Sequence, residues 1–586
     1  MSTSVASLPS TGGMRQRRPA GKSMSPVMSG IECVRQRSSV SLYGGIATGL
    51  ALCVIAYLIV YGDPPEFKIV LPMETTVRVA TWNIAAINNN PFEFWITNKD
   101  PHYDILMSSV QRFINDPGAM DVEVAEVFTP KMLNELRFEM QKMGWQGVDE
   151  AITTFHKEFK PRKIVSDFLK DPTLGAKRLI SMPDRITNTL NLPNGQKLHR
   201  PTVINCYAGY FDSVESWWRQ WKKFMFETNV NVGSEERKVA QLLTKINHFK
   251  YPALSQDESR ISLPLQTIAI AIFDSILVHM MQRVSPGKWH ELRTTMCRSL
   301  NKNKTPRTLE ILRTEYGQND IIFIQEASSA FVLAASRDDH ISAEYHVVSP
   351  ARMDPKRDQN SLIFLRRRSF KFHSMREITE IVKEELSKNG EKVPVSDGDI
   401  FAIRALDNFG RKYILASFHG DTNGLATIPV VSAVDKSVMK MEGRHRLIFG
   451  LDANTYERGS RKRQDMNEFV QHYRYLGIRS CWGGRPKANN YTTYNARTYL
   501  QPQLNKASKK SEFVEKGDRN PKDFILFYKG DFQEFGTTKD NTGNKKYIED
   551  MVFPTLAFPS DHAVLSTTLA ILKDDDRQDD GDDDDE

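Results

Sequence analysis

From Asp320 onward, short apolar runs recur, each bounded by Gly, Asn, Asp or Pro. Runs of this length with such boundaries are typical of β-strands. They read IIFI, SLIFL, DIFAIRAL, YILASF, RLIFGL, DFILFY and AVLSTTLAIL. An earlier segment, VRVA at residues 77–80, has the alternation of one further strand. This texture predicts an α/β protein whose second half is rich in strands.

Between these strands, residues 104–316 have a different texture. Apolar residues recur at helical spacing in segments 132–145, 152–160 and 214–227. Segment 263–281 is strongly apolar, but Asp274 interrupts it and Pro264 stands at its start, which favours a core helix over a membrane span. We therefore predict a large helical insertion after the first strand.

Residues 43–62 form a separate apolar segment with no charged side chain. Twenty such residues are long enough to cross a bilayer as one helix. A buried core helix and a cleaved signal peptide are the alternatives. The 42-residue lead is long for a signal peptide, and no A-x-A cleavage site follows. We predict one N-terminal transmembrane helix at 43–62, through which the protein partners a membrane.

Flanking charge predicts the orientation of that helix. Residues 1–42 contain six Lys and Arg residues against Glu32 alone, and acidic residues follow the helix. Positive charge stays on the cytoplasmic side. The N-terminus is therefore expected in the cytoplasm, and residues 76–573 in a lumen or outside the cell. Residues 1–42 are expected to be a disordered basic tail and 63–75 a stem.

The net charge of +7 hides an asymmetry. Residues 574–586 hold ten acids and one Arg, so residues 1–573 carry +16. A basic body suits a polyanionic partner such as nucleic acid, a phosphoinositide or an anionic membrane, without choosing among them. The acidic terminus is expected to be a solvated, disordered tail. Nothing in the sequence indicates a defined protein partner.

The five cysteines do not have metal-ligand spacing, which argues against a structural zinc site. Cys33 precedes the apolar segment and Cys53 lies inside it. One disulfide is feasible among Cys206, Cys297 and Cys481, but the sequence does not identify the pair.

Polar motifs stand at the ends of the predicted strands. Alone, each has an ordinary reading: a solvated glutamate, a hydrogen-bonded histidine, an Asx turn or a helix N-cap. Together they occur in a set order beside strands and offer complementary chemistry. The motifs are Thr81-Trp82-Asn83, Gln325-Glu326, His419-Gly420-Asp421-Thr422-Asn423, Asp452-Ala453-Asn454, Asp523 and Ser560-Asp561-His562.

This ordered set resembles the endonuclease/exonuclease/phosphatase superfamily, whose fold is similar to that of deoxyribonuclease I. Its members cleave phosphoesters in nucleic acids, inositol phosphates and sphingomyelin. The resemblance covers residues 76–103 and about 317–573. It implies a four-layer α/β sandwich with two packed mixed β-sheets across 76–573. One departure is the 242 residues between Asn83 and Glu326, where members usually have a few tens.

The resemblance also implies a metal site and a substrate contact. Mg²⁺ or Mn²⁺ would be held by the Glu326 carboxylate and the Asn83 carbonyl oxygen, with Asp561 nearby; such oxygen ligands suit these ions. Asn360 and Asn423 match positions near the substrate. For Asn360, a turn residue before a strand is an equally good interpretation.

The remaining motif residues would be catalytic. His562 would act on the attacking water, and Asp523 would orient and stabilise its imidazole. Asp452 and Asn454 would position the water or the phosphate. His419 would hydrogen-bond a phosphate oxygen or protonate the leaving group.

The sequence thus predicts a membrane-anchored hydrolase that cleaves phosphoester bonds with a divalent metal. Its substrate is a nucleic acid or a lipid or inositol phosphoester. The alternative is a catalytically inactive member that serves as a membrane-tethered binding or scaffold module, with a face such as WWRQWKKF (217–224) toward a partner or membrane. All expected site positions are present, which favours the enzyme.

Overall fold

The computed structural model describes residues 75–192, 195–232, 235–354, 357–388, 393–484, 486–487, 490–500 and 517–573. The predicted basic tail (1–42), membrane helix (43–62) and acidic tail (574–586) lie outside these residues and stay predictions.

The first of two six-stranded sheets contains the N-terminal strand of the described chain. Thr76–Asn83 lies at its centre, parallel to Ile321–Ala327 and antiparallel to Val564–Ile571. The sheet is therefore mixed. Its order is Phe532–Asp540, Val564–Ile571, Thr76–Asn83, Ile321–Ala327, Asn360–Arg366 and Tyr345–Val348.

The second sheet is also mixed. Lys412–His419 and Arg446–Asp452 run parallel, and Asp523–Tyr528 runs antiparallel to the latter. Its order is Ile478–Ser480, Asp523–Tyr528, Arg446–Asp452, Lys412–His419, Ile400–Leu406 and Arg376–Glu377. Every apolar run predicted as a strand is a strand.

The two sheets pack face to face through a shared apolar core. Val79, Phe323 and Leu365 from the first sheet meet Phe401, Leu415 and Ile525 from the second. Helices cover both outer faces. Those on the first sheet are Lys304–Thr314, Ser329–Arg337 and Asp339–Glu344, and those on the second are Thr379–Ser387, Thr427–Met439 and Met466–Tyr475. The predicted α/β fold with two mixed sheets is therefore confirmed.

Helices dominate the segment between Asn83 and Ile321. They pack around their own core, separate from the cores of the sandwich. Two short hairpins interrupt them: Thr189–Asn191 with Lys197–His199, and Asn229–Val232 with Glu235–Lys238. Besides Lys304–Thr314, which packs on the first sheet, the α-helices of this segment are Pro101–Asn115, Val124–Val127, Pro130–Lys142, Val148–Thr154, Pro172–Ala176, Ser181–Thr187, Val214–Glu227, Gln256–Arg260, Ser262–Val284 and Lys288–Cys297.

The apolar helix Ser262–Val284 lies at the centre of this helical insertion. It is the one described helix long and apolar enough to cross a membrane, yet its residues are almost all buried within the protein. Asp274 is fully buried and pairs with Arg200, whose Nε donates to Asp274 Oδ2 at 2.7 Å. Trp221 also donates to Asp274 Oδ2, at 2.9 Å. The acid that interrupts the apolar run is thus the partner of a buried arginine.

Two further features tie the insertion together. Trp217 and Trp221 are fully buried, so the tryptophan side of the helix Val214–Glu227 packs inward. Cys206 and Cys297 form a disulfide, the pair that the sequence left open. Cys481 is a buried free thiol in the sandwich.

Candidate active site

The polar strand ends converge because of the strand directions. In the second sheet, His419 is the register neighbour of Asp452, and Asp452 is that of Asp523. In the first sheet, Asn83 pairs with Gln325, directly before Glu326. Parallel strands end on the same edge of a sheet, and the packed sheets bring both edges together. The motifs therefore meet at one end of the sandwich.

Glu326 reaches the site through an irregular strand end. The register of Ile321–Ala327 shifts between Ile324 and Ala327, and Glu326 has a φ of 57°. This left-handed conformation is unusual for a residue with a side chain. The shift lets Gln325 stay buried between the sheets, where its amide donates to Ser417 Oγ at 3.1 Å. Glu326 can then turn toward the strand ends.

The Glu326 carboxylate is held at both oxygens. Asn83 Nδ2 donates to Oε1 at 3.0 Å, and the Ala86 backbone N–H donates to Oε2 at 2.7 Å. His419 Nε2 lies 3.2 Å from Oε1. Burial alone would raise the pKa of Glu326, but the positive His419 and these donors lower it well below its usual range. These contacts therefore favour the anionic form of Glu326.

Asn83 links the two sheets. Its Nδ2 donates to Glu326 and, at 2.9 Å, to Asp452 Oδ2. Its side-chain oxygen, Oδ1, accepts from Ala85 N–H at 2.9 Å. The amide thus holds two carboxylates close together, with its oxygen occupied by the backbone. Ligation of a metal by Asn83 itself stays a prediction.

His419 lies between the same two carboxylates. Its Nε2 is 3.7 Å from Asp452 Oδ2 in addition to its contact with Glu326. Burial lowers the pKa of His419, but the two carboxylates outweigh burial and raise it to about 9. The imidazole thus places a positive charge between the two acids.

His562 and Asp523 form a buried pair. Nδ1 of His562 donates to Asp523 Oδ2 at 2.9 Å, and Nε2 lies 3.7 Å from Asp452 Oδ2. Burial opposes protonation, yet Asp523 and Asp452 raise the pKa of His562 to about 10. Asp523 Oδ1 is buried and has no hydrogen-bond partner within the described chain. The pair has the geometry of an imidazole oriented by an acid.

Two hydroxyl groups position this pair, and sequence reasoning did not assign them. Thr492 Oγ1 accepts from the backbone N–H groups of Lys522 and Asp523 at 2.9 and 3.0 Å. Ser560 Oγ donates to Asn83 O at 2.6 Å and accepts from His562 N–H at 3.1 Å. Ser560 is part of the Ser560-Asp561-His562 motif and so had a sequence signal, whereas Thr492 lies outside the motifs.

Asn454 is held in the left-handed region, with a φ of 48°. Its Nδ2 donates to Gly420 O at 3.0 Å, and its Oδ1 accepts from Lys522 Nζ at 3.2 Å. Lys522 is buried; Asp518, whose Oδ2 is 2.5 Å from Nζ, and Asp452 keep its pKa above the usual range against the effect of burial. Sequence reasoning missed this lysine.

Lys304 enters the site from the far end of the helical insertion. It is buried, and Nζ donates to Pro559 O at 2.8 Å, two residues before Asp561. Burial lowers its pKa to about 8, against the attraction of Asp561 and Glu326. The sequence did not indicate Lys304, because this residue lies in the predicted helical insertion and outside all the motifs.

The other predicted residues lie further out. Asp561 is half-buried, and Asn495 Nδ2 lies 3.5 Å from its Oδ2. Asn360 is fully buried; its amide donates to Ala327 O at 3.1 Å and accepts from Asp354 N–H at 2.9 Å. Asn423 is exposed on the turn after His419. The substrate roles of Asn360 and Asn423 stay predictions, and the structure ties Asn360 to the backbone.

The donor set fits a metal ion. Ligand atoms of Glu326, His419 and Asp452 lie within 4.8 Å of one another, as do those of Asp452, Asp523 and His562. Each group has two carboxylates and one imidazole. A set in which oxygen donors dominate suits a divalent cation such as Mg²⁺ or Mn²⁺. The two groups share Asp452, so one cluster of acids and histidines spans the edges of both sheets.

Fold and site together define an α/β sandwich with an acid and histidine cluster at one end. A domain family described as a domain of unknown function (DUF8234) matches residues 121–294, inside the helical insertion. No curated protein matches the chain by sequence.

Solved structures are similar to part of this chain. TDP2 of D. rerio, complexed with a single-strand DNA product, is 16% identical, with a TM-score of 0.30 over 45% of this chain and 91% of that chain. The human nocturnin catalytic domain is 13% identical, with a TM-score of 0.30 over 47% and 89%. An endonuclease/exonuclease/phosphatase protein of Bacteroides vulgatus is 13% identical, with a TM-score of 0.32 over 47% and 94%.

Proposed function

We propose that this protein is a membrane-anchored, divalent-metal-dependent hydrolase of phosphoester bonds. Its substrate class is nucleic acid or a lipid or inositol phosphoester. The observation that carries the proposal is the joined cluster of Glu326, His419, Asp452, Asp523 and His562, built from strand ends that are far apart in sequence. A scaffold would have no need of such a costly group of buried acids.

The cluster has the parts that phosphoester hydrolysis requires. A bound Mg²⁺ or Mn²⁺ would neutralise the carboxylates and the phosphoryl oxygens, and so remove the potential that keeps both histidines protonated. Glu326 and Asp452 would hold it, and Asp561 lies within electrostatic reach of the same region.

His562 would then act on the attacking water. Asp523 holds the proton on Nδ1, which leaves Nε2 to accept the proton from water, and it stabilises the imidazolium that results. Asp452, 3.7 Å from Nε2, and Asn454 would position the water or phosphate. His419 stands across Asp452 and would donate to a phosphate oxygen or to the leaving group.

The catalytic domain is further proposed to face a lumen or the cell exterior. The excess of cations before residue 43 supports this orientation. The Cys206–Cys297 disulfide supports it independently, because disulfides persist in oxidising compartments. Protease protection of the catalytic domain in sealed microsomes, which would enclose it in either case, tests the orientation, and digestion without detergent would contradict it.

The activity is tested with the purified full chain and a Mg²⁺ titration. The substrates are a generic phosphodiester, single-stranded RNA and DNA, an inositol phosphate and sphingomyelin. We expect metal-dependent turnover of at least one, lost in His562→Ala and retained in His340→Ala, a control at an exposed histidine. If the folded protein binds the metal but hydrolyses none of them, the scaffold alternative replaces this proposal.

A further inference from the structure

The hairpin that follows Asn454, residues 456–465, projects from the rim of the site. Bridges between Tyr456 and Asp465 and between Ser460 and Arg463 close it. We call it the basic hairpin, because its tip, residues 458–463, reads RGSRKR. The tip has four cations and no acid, and all four cations are exposed.

The four cations of the basic hairpin outnumber its two acids, Glu457 and Asp465, and Glu457 Oε2 accepts from Tyr491 Oη at 3.1 Å. Asp465, the acid at its base, accepts from Gly459 N–H at 2.9 Å and caps the next helix through Asn467 N–H at 2.8 Å. Within the ranges that the structure describes, Arg458, Arg461 and Lys462 form no ion pair. A compact group of unpaired cations attracts a polyanion.

The hairpin is attached to the catalytic residues. Tyr456 Oη donates to Thr422 O at 2.7 Å, and the Gln464 N–H donates to Asn423 O at 2.8 Å. Those acceptors belong to the turn that follows His419. A phosphate chain bound to the hairpin would therefore have its next phosphates beside the acid and histidine cluster.

Aromatic rings alternate with cations along the same rim. The guanidinium of Arg463 lies 4.8 Å from the centroid of Tyr456. Arg519 lies 4.7 Å from the centroid of Tyr491 and 4.9 Å from that of Tyr494. Tyr491 and Tyr494 flank the threonines that contact Asp523 and His562. Cationic grooves with aromatic platforms are how proteins bind single-stranded nucleic acid, with stacking on the bases and charge on the phosphates.

We propose that the basic hairpin and the Arg463–Tyr456 and Arg519–Tyr491–Tyr494 stacks bind a single-stranded nucleic acid and present its backbone to the cluster. This assignment rests on the proposed hydrolase function and selects one of its substrate classes. An anionic membrane is the competing partner. The hairpin tip has no apolar side chain to enter a bilayer, whereas half-buried tyrosines lie beside its cations and beside Arg519.

Binding is measured separately from hydrolysis, with the full chain in a metal chelator and a labelled single strand of about 12 nucleotides, a length within known site sizes. The test variant is R458Q/R461Q/K462Q, which spares the stacked Arg463. We expect binding weakened ~10-fold or more, and a salt-dependence slope smaller by about 2, since each phosphate contact contributes ~0.7.

A matched control removes the same charge elsewhere. K142Q/K157Q/K160Q changes three exposed lysines of the helical insertion and should leave binding nearly unchanged. Equal weakening in both variants would reduce the effect to net charge and overturn the site. Unchanged binding in the hairpin variant would overturn it as well.

Two competitors decide the nature of the ligand. An abasic strand with the same number of phosphates should compete ~10-fold less well, because stacking contributes about 1–3 kcal/mol per base. Equal competition by the abasic strand, or stronger competition by phosphatidylserine vesicles at matched charge, would overturn the nucleic-acid assignment. If the chain never hydrolyses a phosphoester but shows this hairpin-dependent binding, the hydrolase proposal fails and the binding site stands.

Discussion

Nδ1 of His562 lies 2.9 Å from Oδ2 of Asp523, and both residues are buried at the meeting point of the two sheets. Asp523 opens a strand of the second sheet, and His562 precedes a strand of the first. The contact therefore depends on the correct packing of the two sheets. The geometry of the candidate acid–base pair therefore depends on the structure of the whole sandwich more than on the local sequence around either residue.

The first prediction concerns this pair. Asp523→Asn keeps the size of the side chain but removes the charge that stabilises the imidazolium, so we expect kcat to fall ~10³-fold or more with little change in folding. His562→Ala should fall at least as far. Circular dichroism and thermal unfolding check the fold, and turnover of a generic phosphodiester above a tenth of wild type in either variant would refute the pair.

The second prediction concerns Glu326. Glu326→Gln retains the shape of the side chain but not the anion, so we expect lower activity and a higher Mg²⁺ concentration for half-maximal activity, by about 10-fold or more. The measurement is activity against Mg²⁺ concentration. If activity fell but its dependence on Mg²⁺ concentration were unchanged, Glu326 would be assigned to the positioning of His419 instead.

The third prediction concerns Lys304, which we regard as a positioning residue. Lys304→Met removes the bond to Pro559 O and also a cation near Glu326 and Asp561. We expect kcat to fall because the 559–562 loop loses its anchor, and Mg²⁺ to bind up to ~10-fold more tightly because repulsion is lost. Lys304→Arg should restore part of kcat. A fall in kcat with no change in Mg²⁺ dependence would leave Lys304 a purely structural role.

The fourth prediction is acid sensitivity of the helical insertion. His290 is buried; its Nε2 donates to Phe211 O at 2.8 Å, while Nδ1 accepts from Arg293 at 3.2 Å. Burial and Arg293 lower its pKa to about 4, although the Phe211 carbonyl opposes this shift.

Because the unfolded chain takes up this proton near pH 6.5, stability is full above that pH. It should fall by up to about 3 kcal/mol as the pH drops toward 4. Urea unfolding followed by tryptophan fluorescence measures this, since Trp217 and Trp221 lie in the insertion. His290→Gln should give a flatter pH dependence between these limits. An unchanged slope would show that other groups cause the acid sensitivity.

The fifth prediction concerns the disulfide. Peptide mapping without reductant should find Cys206 linked to Cys297, with Cys481 as a free thiol. The C206S/C297S variant should lose about 2–4 kcal/mol of stability, because a long loop of the unfolded chain is no longer constrained. Alkylation of all three cysteines before reduction would contradict the pairing.

Much of the sandwich was predictable from local pattern. The apolar runs that predict strands bury nearly every side chain between helices and sheet, so their composition reports their position directly. The Trp-rich helix and the apolar helix with Asp274 were also predictable, because the helical spacing of apolar residues does not depend on distant residues.

The site was predictable as a set of motifs but not as a geometry. Glu326 and Asn454 adopt left-handed conformations that no strand pattern indicates, since register shifts arise from pairing with distant strands. The donation of the Asn83 amide nitrogen to both Glu326 and Asp452 depends on how the sheets meet. Lys304 and Lys522 had no motif to mark them.

By itself, the sequence determined the α/β class, the strands, the helical texture of the insertion and the residues at the strand ends, because these follow from short-range periodicity and side-chain chemistry. Only the tertiary structure decided the Cys206–Cys297 pair, the Arg200–Asp274 pair and the environment of each histidine. Such contacts join residues that are many positions apart, and burial and neighbouring charge, which set each pKa, exist only once the sheets and the insertion are packed.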